Sequence, residues 1–255
     1  GEIASSLTSC ETYYQSWGRT WERQAHIKGR VAAGSEELGK EFFTMMEPFI
    51  YRRSLDFHAI EEIKSMKIRI DKNLKLNKEE NIKLGFGGIR EIEFIIQSNQ
   101  LLFGGRNKEL RIRNSLSALK IMKEKKIILE EDFLCLSEAY IFLRQLENKV
   151  QITFGLQTHK LPETLPERAV LARKMGFEEK TTEDLAAHLM KVYVSHTNFV
   201  GQMFSELFSE KGKRDAAEVI SKEWEQSRKG ETFFSEEVLA SIPLIKDPEQ
   251  AFRFL

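Results

Sequence analysis

Cysteine is scarce in this chain of 255 residues, which holds only Cys10 and Cys135. Two thiols make no disulfide framework. Cys135 also stands in the apolar helical run Phe133, Leu134, Leu136, where a free thiol behaves as a small hydrophobe. That usage fits a reducing compartment. Long apolar runs are missing too: no stretch approaches the ~18 uninterrupted apolar residues of a membrane helix. No basic-then-apolar leader pattern opens the chain at Gly1-Glu2-Ile3. A soluble, cytoplasmic protein with no membrane partner is expected. Neither sign of charge is in excess, since 39 basic residues balance 39 acidic ones for a net charge of zero. Holding DNA or RNA by phosphate neutralisation normally takes a basic surplus, so no nucleic-acid partner is expected.

Strand-type alternation is almost absent, and helical periodicity fills its place. The spacing predicts a first helix opened by Thr8 and Glu11 and ended by Gly34, with Tyr14, Trp17 and Trp21 on one face. Those tryptophans, with Phe42 and Phe43, read as core packing. A second helix is predicted from Glu36 to Met46, stopped at Pro48, and a third from about Ser54 through Phe57, Ile60, Ile63, Met66 and Ile70. A glycine-rich turn, Lys83-Leu84-Gly85-Phe86-Gly87-Gly88, then leads into a helix from Ile89 to Phe103, terminated by Gly104-Gly105. Asn114 caps a helix to about Lys125, and a long one covers Glu130 to Thr153. A proline-bearing loop, a helix from Glu167 to Met175 and a longest helix begun by Thr181 and Asp184 follow. The fold class is all-α. Beyond Lys211 the chain turns more polar and reads as a small helical tail, and Asp247–Leu255 reads as a helix only just begun, suggesting a piece of a longer protein.

Two polar stripes interrupt the apolar faces. Arg90, Glu93 and Gln97 fall at i, i+3 and i+7, while Tyr140, Arg144, Glu147 and Gln151 fall at i, i+4, i+7 and i+11. Antiparallel helices would pair Arg90 with Glu147 and Glu93 with Arg144. One reading is a buried ion network that fixes packing geometry. The other is that Lys83 and Arg90 border an anion site, because a glycine turn opening a helix presents N–H groups and the positive end of a dipole. Glu91 and Glu93, in the same first turns, would compete for that end. His188 and His196 are too far apart on one helix to share a metal, and Asp184 with His188 reads as a surface pair; no metal ligands are assigned.

The stretch Asn81-Ile82-Lys83-Leu84-Gly85-Phe86-Gly87-Gly88-Ile89-Arg90-Glu91-Ile92-Glu93-Phe94-Ile95-Ile96-Gln97 closely resembles a signature of bacterial glutamine synthetase adenylyltransferases, which both transfer and remove adenylyl groups. Tyr13-Tyr14-Gln15, Gly18–Ala25, Lys28-Gly29-Arg30, Pro48–Arg53, Ala139–Asn148 and Leu161-Pro162 agree, in consistent order from about Leu7 to Phe177. The wording after the glycines resembles the N-terminal, adenylyl-removing half. The resemblance implies phosphorolytic removal of AMP from a tyrosine of glutamine synthetase, giving ADP, under control of the signalling protein PII. It implies Mg2+ and ATP, ADP or phosphate in the full-length enzyme. It also implies a division into the last helix of a nucleotidyltransferase module (1–34), a helical bundle (35–210) and a tail toward the next module (211–255).

The family's metal-binding carboxylates stand in an Asp-x-Asp on a strand pair, which this chain lacks, so no catalytic residue is assigned and the chain alone is expected to be inactive. Lys83, Gly87, Gly88 and Arg90 are expected nearest the nucleotide or phosphate. Arg23, Lys28 and Arg30 are further candidates, set against their reading as solvated helix charges. The competing reading of the whole is a helical interaction module without catalysis.

Overall fold

A computed structural model describes residues 4–52, 62, 65, 80–155 and 158–207. Among these residues the chain forms α-helices and one short 3₁₀ turn, with no β-strand. The helices are α1 (Leu7–Ser16), α2 (Thr20–Ile27), α3 (Glu36–Ile50), α4 (Ile89–Phe103), α5 (Ser115–Glu124), α6 (Glu130–Phe154), α7 (Leu165–Lys174) and α8 (Thr182–Leu207). The all-α expectation holds. Of the third expected helix only residues 62 and 65 are described, both helical; the rest of it and the tail beyond Lys211 lie outside the described residues.

α4 occupies the centre and touches α2, α5, α6 and α8. Its sequence explains this: Ile92, Phe94, Ile95 and Ile96 are buried, and so are Ser98, Asn99 and Gln100 on other faces. A helix covered all round belongs inside. Its polar residues are therefore bonded inward. The Gln100 amide, fully buried, donates to the carbonyls of Leu110 and Ile112 at 2.7 Å each, and Asn99 donates to Ile95 at 3.0 Å. The main core runs from Ile82 through α4–α8 to Phe204, where Phe94 and Phe204 meet edge to face at 5.5 Å. A smaller cluster of Ile27, Met46, Ile50 and Tyr51 holds α2 and α3 together. Leu101 touches both clusters.

Three caps act as expected. The Asn114 and Thr181 side chains accept from the Ser117 and Asp184 N–H groups at 2.9 and 3.0 Å. Gly176, with φ +90°, follows α7.

The first expected helix is in fact two. α1 is capped by Ser6, not Thr8, and stops at Ser16; α2 starts at Thr20, with the Glu22 carboxylate accepting from the Arg19 N–H at 2.8 Å. Between them Gly18 lies so close to Phe49 that a Cβ would stand 2.3 Å from the ring. The break resets the helical phase, so the expected stripe does not continue. Tyr14 packs against Phe49 and His26, but Trp17 is 74% and Trp21 54% exposed. The core reading fails for both tryptophans. Trp17→Ser is accordingly expected to change stability by no more than about 0.5 kcal/mol in urea unfolding, as for other exposed sites.

α3 also departs from expectation by running past Pro48 to Ile50. Met46 and Ile50, at i and i+4, are both buried in the small cluster, and that packing outweighs the bond proline removes.

A half-buried histidine gives the fold a pH dependence. Burial pushes the His196 pKa below its ordinary 6.5, against an opposing pull from Glu138, and the ring rests on Phe142 with centroids 4.9 Å apart. The folded state thus binds its proton later than the unfolded chain. The stabilisation is complete above about pH 6.5 and is lost as the pH falls below it. The urea midpoint is expected to drop between about pH 7 and 5, and less steeply in His196→Phe.

Candidate functional site

The expected pairing of Glu93 with Arg144 is present. The Arg144 guanidinium donates to Glu93 at 2.7 Å and to Glu147, one turn on, at 2.8 Å. The Tyr140 hydroxyl donates to the same Glu93 oxygen at 3.2 Å, and the guanidinium lies 5.3 Å from the Tyr140 ring centre. Burial works against the Arg144 charge. The Tyr140 hydroxyl and the Glu147 and Glu93 carboxylates outweigh burial, and its pKa is raised. Gln97, next along the stripe, is buried but stands outside this chain of bonds.

The second expected pair is not formed. Glu147 turns its other oxygen to His159, 2.8 Å from Nδ1, while Arg90 is exposed and makes no ion pair among the described residues. The reason lies in the loop after α6. It returns His159 to the flank of that helix, and the helix's own Arg144 fills the remaining side of Glu147. A loop histidine has no periodicity, so no helical pattern could have flagged it.

The same loop holds the glycine turn. Asn81 forms an antiparallel bridge with Lys160, and the Ile82 N–H donates to the His159 carbonyl at 2.8 Å. Within the turn, the Asn81 side chain accepts from the Lys83 and Leu84 N–H groups at 3.0 and 2.8 Å. The Gly87 N–H goes to the Glu91 carboxylate at 3.0 Å, that of Gly88 to Gly85 and those of Ile89 and Arg90 to Ile82 and Lys83. The competition anticipated from Glu91 therefore takes place, and these N–H groups are engaged internally. Gly87 and Gly88 are buried. With φ +66°, Gly87 lies against α8, where a Cβ would stand 1.7 Å from the Thr197 carbonyl oxygen. An anion at this turn would have to be met by the side chains of half-buried Lys83 and exposed Arg90.

The three basic candidates near α2 have separate fates. Arg23 is buried with its guanidinium 5.0 Å from the Phe49 ring centre, so its reading as a solvated charge fails. Lys28 bonds the Ser115 hydroxyl at 2.8 Å and the Arg113 carbonyl. Burial lowers the Lys28 pKa, while the nearby Glu93 charge opposes the shift. Arg30 is exposed.

At the other end, His188 pairs with Glu179, not Asp184. Asp184 turns instead to the Thr181 hydroxyl at 2.7 Å. The hydrogen bond from His188 holds the Glu179 carboxyl below its usual range. Among the described residues, no three His, Cys, Asp or Glu side chains gather as a metal-binding group. The Mg2+ implied by resemblance therefore finds no fitting ligand set there, and no step is routed through it. No helix among them is long and apolar enough to cross a membrane.

Comparison with known proteins places the chain in a family. Residues 59–208 match the family model described as GlnD PII-uridylyltransferase, and residues 1–45 match that of glutamate-ammonia ligase adenylyltransferase. The bifunctional glutamine synthetase adenylyltransferase/adenylyl-removing enzyme of Methylococcus capsulatus is 44% identical over 179 residues, 70% of this chain and 19% of that protein. The protein of the same name from Hahella chejuensis is 42% identical over 178 residues, 69% of this chain and 18% of the relative. That from Xanthomonas axonopodis pv. citri is 35% identical across 100% of this chain and 26% of its own length. The chain thus spans about a fifth to a quarter of these relatives. On these matches, the chain belongs to the family of bifunctional glutamine synthetase adenylyltransferase/adenylyl-removing enzymes.

Proposed function

We propose that this chain supplies the helical part of the adenylyl-removing half of such an enzyme, which takes AMP from a tyrosine of glutamine synthetase by phosphorolysis under control of PII. In this reading the enzyme is cytoplasmic, and Mg2+ and ATP, ADP or phosphate belong to the whole enzyme. Residues 1–34 end the nucleotidyltransferase module, 35–210 form the bundle and 211–255 lead onward.

The supporting observation is the exposure of Tyr13, Trp17 and Trp21 within the stretch that matches the adenylyltransferase model. Large aromatics left in water mark surfaces that other protein covers. Lys83 and Arg90 then stand as the cations of the turn that reach the nucleotide or phosphate, with Gly87 and Gly88 shaping the turn. Arg23, Lys28 and Arg30 approach from α2 and the segment after it. The network of Glu93, Arg144 and Glu147 sets the angle between α4 and α6.

The test restores the upstream native residues and measures phosphate-dependent release of AMP from adenylylated glutamine synthetase. Release with ADP as product, and none from the 255-residue chain, is the expected result. In the extended protein, Arg90→Ala is expected to weaken ADP binding about tenfold, the effect of one charged hydrogen bond. Unchanged affinity would sink that contact.

A second reading, a helical interaction module, draws on the internal engagement of the turn's N–H groups. A folded extended protein that releases no AMP would favour it.

A further inference from the structure

One loop side chain ties the glycine turn to α6. His159 Nδ1 stands 2.8 Å from the Glu147 carboxylate, and among the described residues no other group bonds that nitrogen. Glu147, which also accepts from Arg144 at 2.8 Å, offers His159 only an acceptor, so Nδ1 is the donor. The backbone of the same histidine reaches the turn. Its carbonyl accepts from the Ile82 N–H at 2.8 Å. The Ile82 and Lys83 carbonyls accept in turn from the Ile89 and Arg90 N–H groups, at 3.1 Å each. Through these bonds His159 sets the stretch of main chain from which both Lys83 and Arg90 project.

A second tie lies further from the turn. The Leu161 N–H donates to the Glu80 carbonyl at 3.0 Å, and Arg168 of α7 joins the Glu80 carboxylate to the Pro162 carbonyl. The Glu80 side chain is 47% exposed, so solvent weakens that ion pair and replaces it when it breaks. Glu147 is buried, and water does not readily replace a donor lost there. Of the two ties, the one through His159 is therefore the stiffer and the nearer to Lys83.

We propose that His159 is a positioning residue for AMP removal: clamped by Glu147, it holds Ile82 and Lys83 so that the Lys83 and Arg90 side chains face the phosphate together. The proposal rests on the reading that those two cations meet the phosphate.

The test uses the full-length enzyme and two readouts: phosphate-dependent release of AMP from adenylylated glutamine synthetase, and amide hydrogen exchange of residues 80–90. His159→Leu fills the space but donates nothing. It is expected to raise the phosphate KM about tenfold, with kcat held within about twofold, and to speed the exchange about tenfold. His159→Asn, whose amide nitrogen stands where Nδ1 does, is expected to recover most of the loss. Arg168→Ala is expected to change the phosphate KM by less than about twofold. Circular dichroism verifies that each variant folds. A phosphate KM unchanged in Lys83→Ala/Arg90→Ala overturns the reading of the turn, and the proposal with it. A KM raised there but unchanged in His159→Leu overturns the proposal alone. So does a loss that His159→Asn fails to recover, or one that Arg168→Ala equals.

Discussion

Gly87→Ala is expected to cost on the order of 3–5 kcal/mol, enough to unfold much of the protein at moderate temperature. Two penalties combine. The backbone has φ +66°, a conformation side chains rarely adopt, and the added methyl would sit 1.7 Å from the Thr197 carbonyl oxygen. No rotamer relieves a collision with main chain. α8 must move away, which also disturbs Phe86, whose ring rests on Gly201 closely enough that a Cβ there would lie 2.2 Å away. Urea unfolding followed by circular dichroism measures the loss. Gly155→Ala serves as the control, since that glycine has the same φ of +66° but nothing within 4 Å of its Cβ. The control is expected to cost only about 1 kcal/mol, the conformational part alone. Equal losses in the two variants would mean that close packing on α8 contributes nothing.

Gln100→Leu should destabilise by roughly 2–4 kcal/mol although leucine is the more hydrophobic residue. The amide is fully buried and meets the carbonyls of Leu110 and Ile112 at 2.7 Å each. Leucine fills similar space but donates nothing, and each carbonyl loses a bond it had exchanged for water on folding. A lowered urea midpoint with an unchanged slope is the expected signature. If the variant instead matched the natural protein, solvent would have to reach those carbonyls.

Much of the architecture is legible in the amino-acid sequence wherever apolar periodicity and cap chemistry agree. α4, α5 and α6 begin and end, and α8 begins, within a few residues of expectation because Gly88, Gly104, Asn114, Gly155 and Thr181 mark those ends with local geometry. Glu93 with Arg144 is legible for the same reason: helical spacing alone places each residue on its stripe. Sequence patterns fail where a distant contact decides a local question. Nothing near Gly18 announces that Phe49 will press on it and split a helix in two. Pro48 is a breaker by rule, yet the burial of Met46 and Ile50 carries α3 through it. His159 and Arg111 reach their partners from loops, where spacing holds no directional information. The internal use of the glycine N–H groups is half legible, since Glu91 is the competitor that the sequence itself offers.

The sharing of Arg144 between Glu93 and Glu147 has a mechanical consequence. A slip of one residue along α6 would carry the guanidinium about 1.5 Å along the axis and swing it about 100° around it. The bond to Glu93 would then break, with no neighbouring register in which it could re-form, while Glu147, on the same helix, travels with Arg144. Sliding between α4 and α6 is therefore met by a stop, not a slope.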